Sequence, residues 1–97
     1  MILSFTRAAQ ADFERLREII AGHDEAAAER VARQLLKGVS LLIKQPRMGR
    51  RVRDADGHDA PEEIHDWIVG NYIVRYLIAG ERIVVLRTWY RREARQA

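Results

Sequence analysis

The 97-residue sequence contains no cysteine. That removes disulfides, thiol nucleophiles and cysteine-ligated zinc together, and it fits a reducing, cytoplasmic setting. Lysine is nearly missing as well, with Lys37 and Lys44 alone, so arginine carries almost all the positive charge. The two serines, Ser4 and Ser40, sit in no Gly-x-Ser-x-Gly elbow, and no glycine loop of the phosphate-cradling kind is present. No apolar run approaches the ~20 residues of a membrane span, and the opening "MILSFTRAAQ" lacks a signal peptide's charged start and apolar stretch. A strong charge imbalance is also wanting. Seventeen basic residues face fourteen acidic ones, for a net charge of +3 and a pI near 9.8. Dedicated nucleic-acid binders are more lopsided, so a direct, sequence-specific nucleic-acid partner is not expected.

What is present indicates one globular domain, residues 1–97, with 47% hydrophobic residues and a single modest core. The charges are patterned. Arg47, Arg50, Arg51 and Arg53 form one cluster, and Arg87, Arg91, Arg92 and Arg95 another. Asp54, Asp56, Asp59, Glu62, Glu63 and Asp66 collect between them, giving a basic face flanked by an acidic loop or a solvated surface.

"ILSF" predicts a short strand, Ile2 to Phe5, ended by Thr6 as a helix cap. Ala9, Phe13, Leu16 and Ile20 then recur at helical spacing up to the stop at Gly22. Asp24 caps a second helix whose stripe is Ala28, Val31, Leu35, Val39 and Leu42, running towards Pro46. The connection is short enough only for an antiparallel helical hairpin. Gly38 inside that helix costs roughly 1 kcal/mol, which points to close approach of a neighbouring element. Pro46 to about Pro61 reads as an aperiodic polar loop. "EIHDWIV", "YIVRYLIA" and "RIVVLRTWY" read as three strands joined at Gly70-Asn71 and Gly80-Glu81. The expected architecture is therefore α+β, in the order β-α-α-β-β-β, with the hairpin packed on a small, mainly antiparallel sheet. Its core should contain Phe5, Phe13, Leu16, Ile20, Val31, Leu35, Leu42, Val74 and Tyr76.

Both faces of that sheet are substantially apolar, and two helices cover only one. The other is expected to meet a partner, unless the long loop or a second copy covers it. Strict alternation along the last strand puts Arg87 and Trp89 with Ile83 and Val85 on that partner face. Arg and Trp are frequent binding anchors, each worth ~2 kcal/mol or more at a central position. Arg91, Arg92 and Arg95 would continue as a basic tail.

Catalytic patterns are thin. Each histidine precedes an aspartate, but an isolated His-Asp pair does not make a metal site, and none is expected. His23-Asp24 is a hairpin loop with its cap, and His58-Asp59 is turn chemistry. Acid-base cleavage of RNA would have to draw on His65, Arg75, Arg87, Tyr90 and Arg92.

The order strand, helical hairpin, "QPRMGRRV", then "EIHDWIVGNYIVRYLIAGERIVVLRTWYRREAR" resembles the RelE/ParE superfamily of bacterial toxins over nearly the whole chain. Within it the sequence is similar to the ParE branch, the plasmid stabilisation proteins. The resemblance implies a toxin that inhibits DNA gyrase, through its A subunit, by protein contact and without a cofactor. It also implies a ParD-like antitoxin wrapped across the toxin in a hetero-oligomer. The partner surface implied here is Arg47, Arg50, Arg75, Arg87, Trp89, Arg91, Arg92 and Arg95. The alternative is a RelE-like, ribosome-dependent mRNA endonuclease using His65, Arg75, Tyr90 and Arg92. That branch carries two lysines on the first meander strand and an arginine after the tyrosine opening the middle one. Here Ile64, His65 and Asp66 occupy the first strand, and Ile73 follows Tyr72. ParE relatives commonly have His where this chain has Tyr90. An interaction module without toxicity is the third possibility.

Overall fold

A computed structural model describes residues 1–92. Along the chain come β1 (Ile2–Phe5), α1 (Arg7–Ala21), α2 (Glu25–Lys44), β2 (Arg50–Arg51), β3 (Glu63–Val69), β4 (Tyr72–Ala79) and β5 (Arg82–Tyr90). The fold is α+β. Its sheet has the order β1-β5-β4-β3-β2, with β1 parallel to β5 and the other pairs antiparallel. The helical hairpin lies against one face. The Pro46–Pro61 stretch, expected as a loop, contributes β2 at the sheet edge and a bridge between Arg53 and Asp59. A two-residue strand has no alternation to detect, so periodicity passes over it.

The helix boundaries follow from local chemistry. Thr6 accepts the Ala9 N–H at 3.0 Å, and Asp24 accepts the N–H groups of Ala26 and Ala27, so both first turns are capped. Gly22 N–H closes the last turn of α1 on Glu18 O. Gly38 in α2 has the cause its cost suggested: a Cβ there would lie 2.8 Å from both Val69 γ-carbons on β3. Beside it, Trp67 Nε1 donates to Gly38 O at 3.0 Å. Helix and sheet meet at the one position where α2 has no side chain.

Leu16, Leu35, Leu42, Val74 and Tyr76 are buried, as their stripes predict. Phe5, Phe13, Ile20 and Val31 are only half-buried and pack against the core's margin, Phe5 and Phe13 edge-to-face at 5.6 Å. They line a groove of about 480 Å³ that runs between the two helices.

Ile83 and Val85 correct the face assignment of β5. Both are fully buried beneath the helices, opposite Ile78 and Tyr76. The register slips between Arg75 and Tyr76: Tyr76 pairs with Val85 and Arg75 with Arg87, leaving Leu86 without an opposite residue. This β-bulge reverses the alternation. Beyond it Thr88 faces the helices, while Arg87 and Trp89 emerge on the open face although Ile83 and Val85 do not.

The Gly38–Val69 contact yields a prediction. Gly38→Ala should lower stability by ~1–2 kcal/mol despite alanine's better helix propensity, because the stiff, β-branched Val69 cannot give way. In a Val69→Ala background the same change should cost nothing or stabilise. Urea denaturation of the four variants measures the coupling.

Candidate functional site: the uncovered sheet face

On the face away from the helices, β3 presents Ile64, Asp66 and Ile68, and β4 presents Ile73, Arg75 and Leu77. β5 adds Val84, Arg87 and Trp89. Most of these side chains are half-buried among one another, but Ile68 is 51% exposed. The Cα register aligns Arg50, Asp66, Arg75 and Arg87 in one row across four strands. Asp66 grips Arg75 with both oxygens, at 2.8 and 2.9 Å, and this hydrogen bonding holds the Arg75 guanidinium above its ordinary pKa. Arg75 also lies over the Trp89 ring, 5.1 Å from its centroid. Apolar residues bracket this charged row on both sides.

Arg87 closes the row at a residue that no sequence pattern flagged. Asp12, buried on α1, receives Arg87 Nε at 2.7 Å and Nη2 at 3.0 Å, and also the Thr88 backbone N–H at 2.9 Å. β1 ends at Phe5, opposite Val85, so this stretch of β5 would otherwise be an open edge. Burial by itself would raise the Asp12 carboxyl, but the hydrogen bonds from Arg87 and Thr88 outweigh it and hold the group below 3.8. No local pattern on α1 marks Asp12; its role depends on where the edge of β5 lies.

The helix-side face carries a separate network. His65 is buried and stacked on Tyr76, with ring centroids 5.4 Å apart. Its Nδ1 lies 2.8 Å from Gly49 O, and its Nε2 lies 2.9 Å from Glu63 Oε2. Tyr76 Oη donates to Pro46 O at 2.6 Å and accepts the Gly49 N–H at 3.0 Å, tying the turn before β2 to the sheet. Burial pushes the Tyr76 hydroxyl pKa up. Arg47 bonds Glu63 at 2.8 and 2.9 Å, and the hydrogen bonds from Arg47 and His65 hold that carboxyl low.

The sequence matches the family described as ParE toxin of type II toxin-antitoxin system, parDE, over residues 3–95. This chain belongs to the ParE toxin family. Among solved structures, the chromosomal ParDE TA system from P. aeruginosa shares the fold, with a TM-score of 0.75 and 17% identity, covering 93% of this chain and 95% of that one. A conserved hypothetical protein from Helicobacter pylori matches at a TM-score of 0.58 and 18% identity, covering 93% of each chain. No curated protein matches the sequence significantly.

In this ParE-family chain the eight residues expected at a partner surface are divided. Arg75, Arg87 and Trp89 share the open face with Arg50 at its edge, although Arg75 and Arg87 are already paired internally. Arg47 is tied to Glu63 away from them. Arg91 and Arg92 follow β5 and are exposed, and Arg95 lies outside the described residues. Of the residues of the endonuclease alternative, His65, Arg75 and Tyr90 are divided between the two faces of the sheet. Arg75 lies on the open face, whereas Tyr90, 5.6 Å from Tyr72, packs on the helix side. Both ring nitrogens of His65 already contact acceptors. Asp54, Asp56 and His58 bring ligand atoms within 4.8 Å of one another in the exposed loop. There the Asp54 carboxylate accepts the N–H groups of Asp56 and His58, the turn chemistry expected of this segment. No helix among the described residues is long and apolar enough to cross a membrane.

Asp12 supplies a pH-dependent prediction. Its folded carboxyl releases its proton at lower pH than the unfolded one, so acidification loads protons preferentially onto the unfolded chain. The contribution is complete above the ordinary value of 3.8 and is lost as pH falls through the lower folded value. Asp12→Ala should destabilise the fold by ~2–3 kcal/mol at neutral pH, since it orphans the Thr88 N–H. Thermal melts from pH 7 down to about pH 2 should show the gap between wild type and Asp12→Asn narrowing with acid.

Proposed function

We propose that this chain is a type II toxin that inhibits DNA gyrase, through the A subunit, by protein contact, and that a ParD-like antitoxin neutralises it. The observation that carries the proposal is the sheet face left uncovered, where Ile64, Ile68, Ile73, Leu77 and Trp89 surround an ordered ion-pair row. Such a rigid apolar surface with a polar row suits protein recognition. The dispersal of His65, Arg75 and Tyr90 over two faces supports contact rather than cleavage.

The antitoxin would lay an amphipathic helix along the groove between α1 and α2, where Phe13, Ile20, Val31 and Leu35 offer apolar anchors. An extended stretch would continue over the open face, giving a hetero-oligomer. The ParDE description of the P. aeruginosa structure supports a partner of this kind. Arg91, Arg92 and Arg95 form the end best suited to the acidic surface of a target protein.

Induction in growing cells, with DNA supercoiling and message integrity measured separately, tests the target. Supercoiling should change while messages stay intact; cleaved messages with normal supercoiling would overturn the gyrase assignment. Deleting residues 91–97 should abolish growth arrest while sparing co-purification with the product of an adjacent ParD-like gene. A truncated chain that still arrests growth would show that the basic end takes no part.

A further inference from the structure

The arginine pairings distinguish residues that the sequence grouped together. Arg75 is neutralised by Asp66, Arg87 by Asp12 and Arg47 by Glu63, all at hydrogen-bonding distance. Arg50, at the β2 end of the row, forms no ion pair among the described residues and is exposed. It borders a cleft of about 330 Å³ together with Arg51, Val52, Arg53, Asp66 and Arg75. Among the described residues the Arg51 side chain donates to the carbonyl oxygens of Ala60 and Glu62, and its Nε is buried without an acceptor. Arg53 reaches Asp59 at 3.5 Å, a loose pair exposed on both sides. The cleft therefore carries the exposed Arg50 beside the Asp66–Arg75 pair, and Asp66, its sole acidic lining residue, is already committed to Arg75.

We infer that this cleft is a receptor for a single carboxylate on an extended segment of a partner protein, in which the acidic residue alternates with apolar ones. Two features of the surroundings define that occupant. Ile64 and Ile68 flank Asp66 on β3 at strand spacing, about 7 Å to either side. A segment lying alongside β3 with its acid at Arg50 sets apolar side chains two positions away over those isoleucines. Arg53, by contrast, is bridged to Asp59, and the loop that follows it carries Asp54, Asp56, Asp59 and Glu62, all exposed. Successive phosphates of a nucleic-acid strand would run into these acids, whereas a peptide brings one charge only. The inference stands apart from the gyrase assignment, because it concerns the chemistry that the cleft accepts and not the identity of the target.

The test follows the arginine Nε–Hε resonances of the full chain by NMR. The probes are a capped Ile-Ser-Glu-Ser-Ile peptide, its glutamine counterpart and a single-stranded oligouridylate. The glutamate peptide should shift the Arg50 signal saturably at millimolar concentration, and the glutamine peptide should not. Arg50→Gln should weaken binding roughly tenfold, while Arg30→Gln on the far helix leaves it unchanged. Equal response to both peptides, no saturation, or saturation by oligouridylate alone would overturn the proposal. A two-dimensional amide spectrum of each variant shows that the fold is intact, so loss of binding cannot be mistaken for unfolding.

Discussion

The register slip at Leu86 determines which surface this chain presents. Before it, β5 is zipped to β1 and sends Ile83 and Val85 into the core. After it, β5 has no strand neighbour on that side, and Arg87 and Trp89 emerge on the open face. The first turns of α1 make this arrangement tolerable. Thr6 donates its N–H to Val85 O and its hydroxyl to Leu86 O, while its oxygen also caps α1. Two turns later Asp12 takes the Thr88 N–H. A helix thus completes the hydrogen bonding of a strand edge that β1 is too short to reach.

This seal fixes more than the edge. By bonding Arg87, Asp12 anchors one end of the charged row, and Asp66 with Trp89 anchors the guanidinium in its middle. Side chains held from two directions lose little further freedom when a partner docks, which favours tight recognition. The same pairings spend the positive charge of Arg75 and Arg87 inside the chain. In the row, this leaves Arg50, at the β2 cleft, as the arginine without a carboxylate among the described residues.

The two faces of the sheet have separate duties. The helix side carries the core and the His65–Tyr76–Gly49 latch, which joins the turn before β2 to the central strands and so positions Arg50 and Arg51. Among the described residues, no further layer covers the open side. The groove between the helices adds a second apolar recess, and it is why Phe13 and Ile20, on the correct stripe, stay half-exposed.

The sequence by itself determined the elements with strong periodicity or sharp punctuation. Both helices, their Thr6 and Asp24 caps, the three meander strands and the turns between them are written in neighbouring residues, because caps, turns and amphipathic stripes act over a few positions. The close approach at Gly38 was legible for the same reason: glycine inside a helix carries a local cost that something must offset. The family resemblance was legible in "QPRMGRRV" and the C-terminal strands. Only the tertiary structure decided β2, the bulge at Leu86 and the pairing of each arginine. Arg47, Arg50, Arg75 and Arg87 look alike in sequence. Their carboxylates lie 16, 9 and 75 positions away for Arg47, Arg75 and Arg87, and among the described residues Arg50 has none. A charge's partner is set by strand register and by where a helix crosses a sheet edge, and no local pattern encodes either.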